Sequence, residues 1–320
     1  MPQCKTITDP NSQWPPFCPN LAASYLFVVL FGLTTLTHIT QMIWTRKWYS
    51  WVICASGLLQ LAAYMLRTLS IMHPANEMFY TLWFILILVA PIFTNAYAFM
   101  VMGRMVYNFT PTASVAGIRA WRFGPIFVLL DILAFLVQAG GASMASGSNT
   151  SVSSTMTGIH IYMGGIGFQQ LCIFAFLAVA ARFYLDLRRQ PPSSERTTAL
   201  RLLYVEFAVV LLITVRIFFR LAEYSKGLAS TIPQHEAYQY VLDSTPMLVA
   251  LALFNALHPG FVMPGKESNM PSRKQRKGMK KAGQQPAGRG GEYISMSQQE
   301  GFVTDGRDGS DVEVGLMWAK

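Results

Sequence analysis

Val215–Tyr224 reads VRIFFRLAEY. The stretch closes a long apolar run, Leu202–Tyr224, yet it carries Arg216, Arg220 and Glu223. A run of that length spans the hydrocarbon core of a bilayer, which takes about 20 apolar residues. Each arginine at such a position costs roughly 2.5–3.5 kcal/mol, so three ionisable groups in one span call for partners. Positions 216, 220 and 223 follow i, i+4, i+7 and share one helical face. That face is expected to look into the protein or a wet cavity, not at lipid.

The rest of the chain repeats the apolar pattern. Of 320 residues, 52% are hydrophobic and only 13% charged, against about 25% charged in soluble domains. Mean hydropathy is +0.34. Apolar runs occupy about 21–43, 48–70, 79–106, 123–145, 159–182, 202–224 and 237–258. The expected fold is an all-α membrane protein of seven transmembrane helices over residues 21–260. Residues 1–20 are polar and Pro-rich, without the basic and short apolar regions of a cleavable leader. Residues 261–320 are dominated by Gly, Ser, Gln, Lys and Arg and are expected to be a disordered tail.

Charge sets the expected orientation. Seventeen Lys and Arg fall in the odd-numbered connections and in 266–281, against Lys5 and Lys226 on the other side. The positive-inside rule then puts the N-terminus outside the cell and the C-terminus in the cytosol. The sequon Asn149-Thr150-Ser151 falls in an outer loop and is the expected glycosylation site. A second sequon at Asn108 falls on the cytosolic side and is expected to be unused. Cys4 and Cys18 would meet an oxidising compartment; a disulfide between them and two unpaired tail cysteines fit equally well. The net charge of +9 lies largely in the tail. It therefore points to anionic inner-leaflet lipid through 266–281, at about 1 kcal/mol per Lys or Arg, and not to nucleic acid.

Polar groups inside the spans form the candidate site. Arg67, Arg216, Arg220, Glu223 and Asp243 are expected at similar depth in the outer half, with a formal sum of +1 and with His235 and Glu236 just above. Such a set either holds a polar lipid headgroup or locks spans two, six and seven together. Asp131, Glu206, Asn255 and His258 lie toward the inner half, and Gln138 shares a face with Asp131. Carboxyl groups at two depths suit a relay for protons or a cationic amine. Glu206 is near enough to the interface to snorkel, and His38 and Gln60 suit interhelical hydrogen bonds. Pro91 and Pro246 are expected to kink spans three and seven.

These residues together resemble a known family, the fungal lipid-translocating exporters linked to resistance to aminocholesterol and sphingoid long-chain bases. The matching pieces are Gly57, Tyr64 and Arg67; Ala90-Pro91, Ala96-Tyr97 and Gly103-Arg104; Asp131, Gln138 and Gly140-Gly141; Gly158, Gly164 and Gln169. They continue with Arg216, Arg220, Glu223-Tyr224 and Gly227, then His235-Glu236, Tyr240, Asp243 and Pro246, and His258-Pro259-Gly260. Gln60 stands where the family usually has a glutamate, and Ala63 where it usually has a glycine. The resemblance implies a plasma-membrane protein that moves amphipathic lipids or protects against them, with membrane lipids as partners.

Three functions compete. A lipid exporter needs a polar cavity open sideways to lipid. No G-x-x-x-x-G-K-[ST] motif is present, so direct ATP-driven pumping has no support. A seven-span lipid sensor fits the same topology. A zinc hydrolase would need three or more ligands around one open site, and the five histidines have no paired spacing. The reading is therefore a non-enzyme without cofactor or metal. Its expected substrate-binding and translocation residues are Arg67, Asp131, Gln138, Arg216, Arg220, Glu223 and Asp243. Asp243→Asn is expected to impair function with surface expression intact.

Overall fold

The computed structural model describes residues 6, 9–14, 17–145, 151–224, 235–282 and 288–290. Among these, seven helices are long and apolar enough to cross a membrane. They are α1 (Leu21–Thr45), α2 (Trp51–Met72), α3 (Glu77–Phe109), α4 (Ala120–Ala145), α5 (Val152–Arg189), α6 (Ser194–Tyr224) and a composite seventh span. That last span joins α7 (Glu236–Gln239), a π turn (Tyr240–Ser244) and α8 (Thr245–Ala256). Cys4 and the sequon at Asn149 lie outside the described residues, while Cys18 is disulfide-bonded.

Helix starts follow ordinary capping chemistry. Asn20 accepts from Ala23 N at the start of α1, and Asn76 from Met78 N and Phe79 N at the start of α3. Consecutive helices pack side by side, and the seventh span closes the ring against α1 and α6. Helix α3 runs through the middle and also meets α6 and α8. Its residues Tyr97, Ala98, Phe99, Val101 and Met102 are all buried, around the whole circumference of the helix. Large apolar side chains such as Leu129, Leu136, Leu171 and Leu211 face outward, as lipid contact requires.

Helix α5 extends to Arg189, seven residues beyond the expected end at 182. Its last turns are a surface helix with Arg182, Asp186 and Arg189 paired at i, i+4 and i, i+3. Between α3 and α4 a hairpin of two short strands, Ser114–Val115 and Ile118–Arg119, turns through Ala116 and Gly117. Both turn residues have positive φ, 49° and 78°, the geometry of a two-residue hairpin loop.

Helices α4 and α5 approach closely through glycine. A Cβ on Gly141 would lie 2.4 Å from Tyr162 N and 2.7 Å from Gly158 O. Small residues let backbones meet where no hydrophobic force drives helices together in lipid. Gly141→Ala is therefore expected to lower stability by about 1–3 kcal/mol, read as a fall in the thermal midpoint of the detergent-solubilised protein.

The segment after span seven differs from the disordered tail expected from 261. Helix α9 (Pro259–Val262) turns the chain under α1, where Gly260 abuts Thr45. Lys47, in the α1–α2 connection, is buried. Its ammonium reaches Gly265 O (2.7 Å), Ser268 Oγ (2.5 Å) and Asn269 Oδ1 (3.1 Å). Burial, with Arg104 and Arg289 nearby, holds that ammonium below the usual lysine value. Asn108 donates to Ser268 O at 3.1 Å and is itself buried. Helix α10 (Arg273–Lys281) starts with a Ser272–Gln275 capping box, and Arg276 lies over Trp121 at 5.1 Å. The sequence missed this clamp because its ligands are backbone carbonyls and small polar side chains without periodicity. Lys47→Ala is expected to remove hydrogen-exchange protection from 263–282 while the spans stay protected, at a cost of about 1–3 kcal/mol.

Candidate functional site

The charged face of α6 meets the π turn of span seven. Arg216 Nε lies 2.5 Å from Asp243 Oδ1, and Arg220 Nη2 donates to Asp243 Oδ2 at 2.5 Å. Arg220 Nη1 donates to Glu223 Oε2 at 3.0 Å. All four side chains are buried. The expected set is thus brought together, but without Arg67. Arg67 sits in a second pair, donating to Glu236 Oε1 at 2.7 Å, Gln239 Oε1 at 3.1 Å and Tyr240 OH at 3.1 Å. Its guanidinium lies 4.6–5.0 Å from the ring centroids of Trp14, Trp83 and Tyr240. With Glu236 included, three arginines face three carboxylates, so the expected sum of +1 becomes zero.

Two prolines shape this arrangement. Pro91 has no N–H to offer the carbonyl of Ile87, four residues back in α3. Arg216 Nη2 takes up that carbonyl at 3.1 Å. Pro246 likewise lacks an N–H and crowds the carbonyl of Leu242, and the turn ahead of it widens to the π turn of Tyr240–Ser244. That wide turn carries both Asp243 and Tyr240 to their arginines. Ser244 in the same turn bonds Tyr64 OH from α2.

Asp131 and Gln138 join a different network. Asp131 is buried and accepts from Gln169 Nε2 (2.5 Å) and Asn95 Nδ2 (3.1 Å). Gln138 Nε2 donates to Gln169 Oε1 at 3.2 Å. Between this network and the arginines lies a narrow crevice among α3, α4, α5 and α6, with about 20 Å³ of open space, room for one water-sized group. Its apolar wall is Leu88, Pro91, Ile92, Phe135, Ile166 and Ile217, and its polar wall is Gln138, Tyr162, Gln169, Arg216 and Arg220. Leu88, Ile92, Phe135 and Gln138 are half-buried, so this rim belongs to the lateral surface as well as to the cavity.

The expected inner set does not assemble. Asn255 donates to Thr34 O at 3.0 Å, and His38 Nε2 pairs with Leu251 O at 3.1 Å, tying span seven to α1. His258 caps α9 through Gly260 N and pairs with Ser50. Glu206 does not snorkel: it is wholly buried on the inward face of α6, and neither carboxyl oxygen has a partner. Gln169, Asn95, Glu236 and Trp14 complete the site and were not among its expected residues. Glu236 was placed just above the set and Gln169 was one of the pieces of the family resemblance, whereas Asn95 and Trp14 carried no signal. Among the described residues no group of three or more His, Cys, Asp and Glu side chains could hold a metal.

The fold and site define a multi-pass membrane protein whose buried charges are paired across helices beside a narrow amphipathic crevice. The chain belongs to the RTA1-like protein family, whose model matches residues 52–266. It is 40% identical over 274 residues to the probable lipid transporter atnI of Emericella nidulans, covering 80% of this chain and 70% of that one. It is 27% identical over 314 residues to the sphingoid long-chain base transporter RSB1 of Saccharomyces cerevisiae, covering 85% and 80%. Protoporphyrin uptake protein 1 of Saccharomyces cerevisiae is 28% identical over 203 residues, covering 62% and 64%. No solved structure matches the chain.

Proposed function

We propose that the protein is a lipid-translocating exporter of the plasma membrane, N-terminus outside, which moves single-chain amphiphiles such as sphingoid long-chain bases. The observation that carries this reading is the crevice between α3, α4, α5 and α6. One wall suits hydrocarbon and the other a polar headgroup. The crevice's open space, about 20 Å³, is the size of one small polar group, so the helices part for a headgroup to enter and the tail stays in lipid. Gln138, Arg216 and Arg220 line the path, with Asp131, Glu223 and Asp243 behind them. Arg67, with Trp14 and Glu236, belongs to the same charged set through the π turn that carries Asp243. The names of the relatives, a lipid transporter and a sphingoid-base transporter, support the same reading. The exposed lysines and arginines of α10 rest on anionic inner-leaflet lipid.

The test is outward movement of a fluorescent sphingoid base in reconstituted vesicles, against vesicles without protein. Protein-dependent movement is expected. No movement with intact protein would turn the reading to a seven-span lipid sensor.

A further inference from the structure

The buried carboxyl groups of the spans fall into three kinds. Glu223, Asp243 and Glu236 each pair with an arginine. Glu206 has neither cation nor hydrogen-bond donor. Asp131 alone is held by two amide donors, Asn95 and Gln169, and makes no ion pair. Amide donors aimed at a carboxyl prepare it as an anion without neutralising it. A buried carboxylate ordinarily has a cation, and the arginines of the crevice wall, Arg216 and Arg220, are already paired with Asp243 and Glu223.

We infer that Asp131 receives the ammonium group of an amine-bearing single-chain amphiphile, which reaches it from the crevice past Gln138 and Gln169. This rests on the translocator reading and assigns the headgroup within it. Gln138 and Gln169 lie on the crevice wall, and Gln169 Nε2 touches Asp131 at 2.5 Å, so one side-chain rotation of Gln169 opens the carboxyl to the cavity. Gln138 holds the Gln169 amide in its present orientation and offers it another partner when it turns. Arg216 and Arg220 on the same wall do not oppose a cation, because Asp243 and Glu223 neutralise them. Their network frames the cavity, and the ammonium binds across from it.

The test compares binding of fluorescent sphinganine and of its N-acetylated analogue, which keeps chain and hydroxyls but not the charge. Purified full-length protein in nanodiscs is used, with the vesicle assay run alongside. Wild type is expected to prefer the amine by about tenfold or more, the scale of a hydrogen-bonded charged contact. Asp131→Asn is expected to lose that preference while binding the analogue as wild type does, and Asp131→Glu to keep most of it. Equal affinity of wild type for both ligands, or an intact preference in folded Asp131→Asn, overturns the assignment. Should Asp131→Asn not fold, Gln138→Met leaves both donors of Asp131 in place but frees the Gln169 amide. An unchanged preference in that variant also overturns it. Movement of the base without amine preference defeats this assignment and spares the translocator. Absence of both binding and movement defeats both.

Discussion

Asp243→Asn is expected to lower the stability of the folded protein by about 3–5 kcal/mol, the cost of removing one partner from a buried ion pair. A single carboxylate here serves two guanidiniums, Arg216 at 2.5 Å and Arg220 at 2.5 Å. An asparagine oxygen can accept from one of them, but it leaves both charges poorly compensated and away from water. Glu223 then has to serve Arg220 alone, and Arg216 keeps only the Ile87 carbonyl. This revises the expectation that surface expression stays intact: the folded yield falls together with function. Thermal unfolding in detergent and the monodisperse fraction on gel filtration report it. A midpoint unchanged from wild type would mean that the arginines find water or lipid phosphate, and that the network does not hold the helices.

Arg67→Met is expected to cost about 3 kcal/mol and, in addition, to release the N-terminal segment. The guanidinium lies against Trp14 and Trp83, which stack on each other at 5.2 Å, and beside Tyr240. Trp14 is otherwise anchored by its Nε1 bond to Ser70 O and by its neighbour Gln13, whose N–H reaches Pro74 O. The other anchor of the segment is Asn20 N on Glu236 Oε2. Losing Arg67 leaves Glu236 without its cation, so cage and anchor fail together. Methionine fills the volume without the charge, so a cavity is not the cause. The expected readouts are a red-shifted tryptophan emission and faster proteolysis ahead of residue 20. If both stay as in wild type, the aromatic contacts alone hold the segment.

The two effects differ in reach. Asp243 joins α6 to span seven in the middle of the bundle, so its loss affects every helix around the crevice. Arg67 joins α2 to the beginning of span seven, so its loss is felt first by the segment around Trp14. Span seven takes part in both because its π turn, imposed by Pro246, sends Tyr240 toward Arg67 and Asp243 toward α6.

The seven spans are legible in the sequence alone, because a bilayer demands long apolar runs and the chain contains seven of them. So is the shared inward face of Arg216, Arg220 and Glu223, since 3.6 residues per turn leaves no other arrangement. Boundaries were less legible. The end of α5 and the clamp around Lys47 lie outside the hydrocarbon, where polar side chains no longer mark the end of a helix. Which charges meet follows from the packing of the helices. Sequence spacing orders groups along one helix, but pairing depends on how neighbouring helices rotate and on where a proline shifts the turn. Arg67 therefore finds Glu236 instead of Asp243, Arg216 finds a carbonyl that Pro91 leaves unbonded, and Asp131 faces two amides with no cation of its own.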